Sequence, residues 1–255
     1  MTTQSLPRVL TFYRSGPMPC PYVPGRIEQQ LFTELSGPMA QDDFDRLSQG
    51  GFRRSHHIVY RPACPTCRAC LPVRVDASRF ASGRAWRRIL NANADLRPHD
   101  VGKRVDDEQF ALFRRYVTAR HTDGDMARMN RRDYAAMVLS SPVQTHVLEF
   151  RDADGRLWAA CLVDRMQDGY SAVYSFFEPD AVRRSLGSLI VLTLIERARR
   201  NGLPYVYLGF WIPDSPKMAY KRRFQPLEAF GPHGWHPMDD GTGAALPIAG
   251  TNGLI

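Results

Sequence analysis

Lysine is nearly missing from this chain: only Lys103, Lys217 and Lys221 stand among 34 basic residues, and the rest are arginine. Cysteine is sparse too, at five in 255 residues, and disulfides are a poor reading of them in a cytosolic chain. No apolar run approaches the roughly 20 residues that a membrane-spanning helix needs, and the best stretch, Leu186 to Ile195, is short and polar-flanked. The first residues lack a basic segment followed by an apolar core and a small-residue cleavage site. A cytoplasmic protein with no membrane partner is therefore expected. Also missing are a metalloprotease histidine pair, a Gly-x-Ser-x-Gly elbow and a Walker loop, so those enzyme classes recede.

What is present describes a globular chain. Hydrophobic residues make up 44% and charged residues 24%, enough for a sizeable core, and the length suits two modest domains or one enlarged domain. The net charge of +8 is unevenly placed, because residues 51–132 alone hold 18 basic and 8 acidic residues. Arginine presents a planar fork suited to phosphate and carboxylate. Codon bias inflates arginine without function, but it does not explain clustering, so a polyanionic partner is the better reading.

Residues 1–35 are rich in Pro and Gly and read as loop and turn. A helical period runs from Ala40 to Leu47 and stops at Gly50-Gly51. Phe52–Tyr60 and Leu71–Val75 read as strands flanking a cysteine-rich turn, and helices are expected near 83–92, 106–120 and 130–140. A soft boundary falls near residue 140, dividing a basic, cysteine-containing domain (1–140) from a second domain (141–237) and a loose tail (238–255). The second domain opens with three strand-like runs, 144–151, 156–166 and 170–177, joined by Asp/Gly turns. A helix 185–200 ending at Asn201-Gly202, a strand 205–208, a helix 215–223 and a strand 227–230 complete the order β-β-β-α-β-α-β. That order matches the core of the Gcn5-related (GNAT) acyltransferase fold. The expectation is thus an α+β chain: an N-terminal cysteine-containing α/β module followed by a GNAT-like domain with a mixed sheet.

Several groups in this frame carry chemistry. Cys64, Cys67 and Cys70 recur at two-residue spacers, with Cys20 as a possible fourth thiol; soft thiolates suit zinc or an iron–sulfur cluster, and packed reduced cysteines are the plainer alternative. Cys161 reads as a small core residue. Arg184 and Gly187 match part of the Arg-x-x-Gly-x-Gly pattern that cradles a pyrophosphate at a helix start, but Leu189 replaces the small final residue. Tyr220 lies where such acyltransferases carry a leaving-group acid; Tyr207 and Tyr174 on strands serve as acid or as packing equally well. Glu178, at the end of the third run, is the carboxylate best placed to handle an amine proton, or else a turn acid. His56-His57, adjacent on a presumed strand, would point to opposite faces.

Together, Cys20-Pro21-Tyr22-Val23-Pro24-Gly25-Arg26, Gly51-Phe52-Arg53-Arg54-Ser55, Tyr60-Arg61-Pro62-x-Cys64-x-x-Cys67-x-x-Cys70-x-Pro72-x-Arg74-Val75, Lys217-Met218-x-Tyr220-Lys221 and Pro226-Leu227-Glu228 form a specific combination. Over about residues 10–232 the chain resembles the bacterial aspartate/glutamate leucyltransferases, relatives of the eukaryotic arginyl-tRNA–protein transferases. The resemblance implies transfer of leucine from Leu-tRNA to the α-amine of proteins with N-terminal Asp or Glu, marking them for degradation in the N-degron pathway. Aminoacyl-tRNA is then a co-substrate, no cofactor is required for transfer, and the four cysteines are implicated in holding zinc or an iron–sulfur cluster. The candidate substrate contacts are Lys217 and Lys221 with Arg184 and Gly187, and the candidate catalytic residues are Glu178, Tyr220 and Tyr207. An acidic first residue needs a cation that reads its carboxylate, and the candidates are Arg53, Arg54 and Arg61. Rival readings are a coenzyme A-dependent N-acetyltransferase and a cysteine-metal nucleic-acid binder.

Overall fold

The computed structural model describes residues 9–120, 125–213 and 215–238. The first strands are short: β1 (Tyr13–Arg14), β2 (Met18–Pro19), β3 (Ile27–Glu28) and β4 (Gln30–Glu34). They fall inside the stretch expected to be loop. Their residues are mostly exposed and do not alternate, so no period of two announces them. Helix α1 (Ala40–Gln49) follows and ends as expected at Gly50-Gly51, where Gly51 has φ +81°.

The single strand expected over 52–60 is a hairpin, β5 (Arg53–Ser55) and β6 (Ile58–Pro62), turning at His56-His57. His56 takes φ +53°, the left-handed region that a tight turn requires. Then come β7 (Leu71–Asp76), α2 (Arg84–Ala92), β8 (Arg97–Asp100), α3 (Asp107–Arg120) and α4 (Arg131–Leu139), the last opened by an Asn130/Asp133 capping box. The meander is β9 (Thr145–Arg151), β10 (Leu157–Arg165) and β11 (Gly169–Phe177). After α5 (Leu186–Arg200), the chain forms β12 (Tyr205–Trp211), β13 (Leu227–Gly231) and β14 (Gly234–Pro237). Where a helix was expected over 215–223, only a 3-10 turn, Ala219–Arg223, forms.

The large sheet has eight strands in the order β14-β13-β7-β12-β11-β10-β9-β8. It is mixed, with β11 and β12 parallel and their other neighbours antiparallel. This is the expected α+β arrangement of an N-terminal module and a GNAT-like mixed sheet. The expected division at residue 140 runs through that sheet, since β7 lies between β12 and β13, and β8 extends the edge beyond β9. β7 reads Leu-Pro-Val-Arg-Val-Asp, and its last four residues are buried, as a central strand demands. Residues 239–255, most of the expected tail, lie outside the described residues.

Alternation along the strands divides the core. On one face Leu148, Phe150, Ala159, Cys161 and Val163 meet α5, whose Leu186, Ile190 and Leu194 recur every four residues. Fully burying each such leucine or isoleucine contributes about 1.5–3 kcal/mol. On the other face Val147, Ala160, Leu162 and Phe176 meet α3 and α4 through Phe113, Val117 and Tyr134. Beside that cluster a four-stranded sheet, β1-β4-β6-β5, packs with α1 around Phe44, Val59 and Tyr207. Two bodies thus share one face of the large sheet, one against β9–β11 and the other against Tyr205 and Tyr207 of β12.

Candidate active site in the gap between two strands

β11 and β12 pair only over Gly169–Ser171 and Tyr205–Tyr207. Gly169 makes that closed end possible, since a Cβ there would overlap the Tyr205 carbonyl. Beyond it the strands diverge, each helped by an irregularity. β11 bulges between its pairings with Leu162 and Val163, leaving Val173 unmatched, and β12 shifts register against β7 between Tyr207 and Gly209. The result is a gap bordered by residues 172–177 and 208–211 whose facing backbone groups are free of sheet pairing.

Two cations occupy the gap. Arg53, at the start of β5, reaches across and donates to the Val173 carbonyl. Lys221, in the 3-10 turn, is 4% exposed and its Nζ donates to the Phe210 carbonyl at 2.6 Å. One strand is held by each. Burial first, and the nearby Arg53 charge second, push the Lys221 ammonium down to about 7. Gly209 lies against the Arg53 guanidinium, where any Cβ would overlap it, and its φ is +72°. A glycine inside a strand is the signal of such an approach, and Leu208-Gly209-Phe210 carries that signal in the sequence.

Arg53, Tyr116 and Cys161 are the titratable groups near Tyr220, whose ring meets Phe224 edge-on. Its ring is 40% exposed, while loss of water around the hydroxyl pushes the phenol up to about 12. It is protonated at neutral pH and can donate. Tyr207 points elsewhere, accepting from Arg74 at 3.0 Å and donating to Asp168 at 2.9 Å, and burial raises its pKa. Tyr174 has a buried hydroxyl without a hydrogen-bond partner.

The other candidates scatter. Arg54, one residue from Arg53, is buried and clamps Asp164 through two bonds of 2.6 and 2.8 Å, with its third nitrogen on the His56 carbonyl. Arg61 is exposed and lies 5.1 Å over the Phe52 ring, and Lys217 is exposed. Glu178, Arg184 and Gly187 gather instead at the β11–α5 loop, where Glu178 and Arg184 line a cleft of about 790 Å³ together with Arg115, Arg156, Trp158 and Arg183. Glu178 is ion-paired there with Arg115 at 3.1 Å and Arg156 at 3.6 Å. Trp158 lies between Arg156 and Arg184, at 4.3 and 4.5 Å from their guanidinium carbons. Arg184 also bonds Asp95 at 2.5 Å and keeps a buried nitrogen without a partner. A Cβ on Gly187 would press the Phe177 ring at 3.2 Å.

Burial first, and then the nearby Cys20, Cys64 and Cys67, push the Cys70 thiol up to about 12. The donor chemistry suits a soft metal. The placement does not, because among the described residues no three His, Cys, Asp or Glu side chains converge at ligating distance. Of the basic residues after Arg84, Arg131 is bonded to Asp107 at 2.6 Å and Arg104 faces Asp106 at 3.4 Å. Arg84, Arg87 and Arg88 stand exposed on α2 and carry no ion pair among the described residues. Among the described residues no helix is long and apolar enough to cross a membrane.

Residues 18–88 match the family model "Arginine-tRNA-protein transferase, N terminus", and residues 108–231 match "Arginine-tRNA-protein transferase, C terminus". The chain is 55% identical over 233 residues to a protein of Paramagnetospirillum magneticum named aspartate/glutamate leucyltransferase, covering 91% of this chain and 96% of that one. Proteins of the same name from Gluconacetobacter diazotrophicus and Parvibaculum lavamentivorans are 51% and 52% identical, covering 94% and 93% of this chain and 92% and 99% of theirs. A solved structure, "The structure of L-PGS from Bacillus licheniformis", covers 67% of this chain and 50% of that chain at a TM-score of 0.45 and 14% identity.

Proposed function

This chain belongs to the arginine-tRNA-protein transferase family, and from that premise we propose that it is an aminoacyltransferase of the aspartate/glutamate leucyltransferase type. It moves leucine from Leu-tRNA to the α-amine of a protein beginning with Asp or Glu, in the cytoplasm where charged tRNA is found, as a step of the N-degron pathway. The observation that carries this reading is the gap between β11 and β12, whose unpaired backbone groups flank an opening reached by Arg53, Lys221 and Tyr220.

The reaction asks little of a strong base. An aminoacyl ester is already activated, and a peptide α-amine with a pKa of about 7.7–8.0 retains a useful neutral fraction at pH 7. The amine nitrogen attacks the ester carbonyl, a C–N bond forms, and the C–O bond to the ribose breaks. The gap supplies orientation and backbone N–H donors toward the developing oxyanion. Tyr220, protonated and 40% exposed, donates its proton to the departing ribose oxygen, and the proton shed by the attacking nitrogen returns the phenolate to the phenol. Glu178, held between two arginines, acts by ordering the cleft rather than by accepting the amine proton.

That cleft, with Trp158 and Arg184 beside the N-terminus of α5, suits the phosphate-rich 3′ end of the tRNA. The unpaired arginines of α2 suit phosphates further along the acceptor stem. Cys20, Cys64, Cys67 and Cys70 carry donors that a soft metal takes, but their placement does not fit one. No metal enters any step of this scheme, and metal analysis of anaerobically purified protein is expected to find none bound in stoichiometric amount.

The deciding assay combines the full chain with labelled Leu-tRNA and peptides beginning with Asp, Glu or Ala. Label is expected on the first two only. Label from acetyl-coenzyme A instead, with none from Leu-tRNA, would replace the proposal by N-acetyl transfer.

A further inference from the structure

Arg53 and Lys221 share a gap, and neither has an anionic partner among the described residues. Arg53 donates to a carbonyl of β11, and Lys221 donates to a carbonyl of β12. Lys221 is buried and Arg53 half-buried, and the other buried cations of this chain are treated differently. Arg54 meets Asp164, and Arg74 meets Glu228 at 2.7 Å. Burying charge without an opposite is costly, and two like charges in one gap add to that cost. The arrangement is complete only when an anion enters.

We propose that Arg53 and Lys221 together form the receptor for the side-chain carboxylate of the acceptor's first residue, and so set the preference for Asp and Glu. This rests on the functional reading above and names the part of the site that makes it selective. The position fits the demand, since a first residue whose α-amine attacks in the gap carries its carboxylate only two or three carbons away.

The remaining groups around the pair do not compete for the carboxylate or titrate with it. Tyr220, on the same turn as Lys221, and Tyr116 of α3 beside it are both raised above the usual phenol range. Cys161 of β10 is pushed up to about 12 by burial, and Tyr22, facing Arg53, is raised by burial as well. All four are neutral between pH 6 and 8. In the free protein Lys221 loses its proton near pH 7, and a bound carboxylate restores it. Affinity for an acidic first residue therefore falls as pH rises above 7, by up to tenfold per unit until the pKa of the complex is reached.

The test measures binding, without tRNA, of two peptides that differ only in beginning with Asp or Asn. The wild type is expected to prefer Asp, with the preference shrinking from pH 6.5 to 8.5. Lys221→Met should lose about 10- to 100-fold for the Asp peptide and little for the Asn peptide, the usual worth of a charge-assisted bond. Lys221→Arg, always charged, should keep a preference and flatten its pH dependence. Leu-tRNA affinity, measured on each variant, reports folding independently. Equal losses for both peptides, or an undiminished Asp preference in Lys221→Met, would overturn the proposal. Absence of any leucine transfer by the wild type would instead sink the functional reading while leaving this binding test standing.

Discussion

Arg53 and Arg54 are neighbours in the chain and opposites in setting. Arg54 turns into the body of the molecule, where Asp164 takes it in a bidentate pair and Thr145 adds a hydroxyl to the same carboxylate at 2.6 Å. Arg53 turns into the gap and finds only a main-chain carbonyl. The same contrast runs through the sheet. Around β9, Glu149 is met by Gln109 and Arg151, whereas at the β11–β12 opening neither Lys221 nor Arg53 meets an anion among the described residues. A satisfied pair holds a fold, and an unsatisfied pair is available to a ligand.

The comparison breaks most visibly at Arg54. Arg54→Met leaves Asp164 buried and unpaired, and should lower unfolding free energy by about 3–5 kcal/mol in urea denaturation. Arg54→Met with Asp164→Leu should recover most of that loss. Gly209→Ala comes next, because the new methyl overlaps Arg53 and the residue must hold φ +72°. A stability cost of about 1–3 kcal/mol is expected, with a larger fall in kcat/KM for acidic peptides than for tRNA. Steady-state kinetics with each substrate varied in turn checks this.

A smaller effect separates paired from unpaired surface arginines. Arg84→Ala, Arg87→Ala and Arg88→Ala combined should raise KM for Leu-tRNA and lower the slope of log affinity against log salt by about 0.9 for each phosphate no longer neutralised. Arg131→Ala, already paired with Asp107, should change neither. One further effect is thermal. Lys221 binds its proton more tightly in the unfolded chain, at the ordinary value near 10.5, than in the fold, at about 7. Between those values the unfolded state holds more protons, so this residue makes stability rise with pH. Tm measured from pH 7 to 10 should show that rise in the wild type and lose it in Lys221→Met.

Much of this was legible beforehand. The meander, α5 and its Asn201-Gly202 stop follow from strict periods and turn residues, and the combined motifs led to the family. The failures have causes. The hairpin at His56-His57 hides because neither residue is a usual turn former, and β4 hides inside a Pro/Gly-rich stretch. The expected boundary at 140 marks a change of pattern, yet nothing local tells β7 to enter a sheet built mainly from later strands. Among site candidates, Glu178, Arg184 and Gly187 are close in sequence and stay together, while Tyr207 and Arg54 are drawn into internal networks.

Periodicity, turn chemistry and motif spacing, all local properties, were enough to determine which elements form, how the helices stop and which family the chain joins. The choice between Arg53 and Arg54 was tertiary. Alternation along β5 guarantees only that they face opposite ways. Asp164 and Val173, more than a hundred residues further on, determine which arginine is neutralised and which is left charged, because a side chain's electrostatic setting comes from what packs against it.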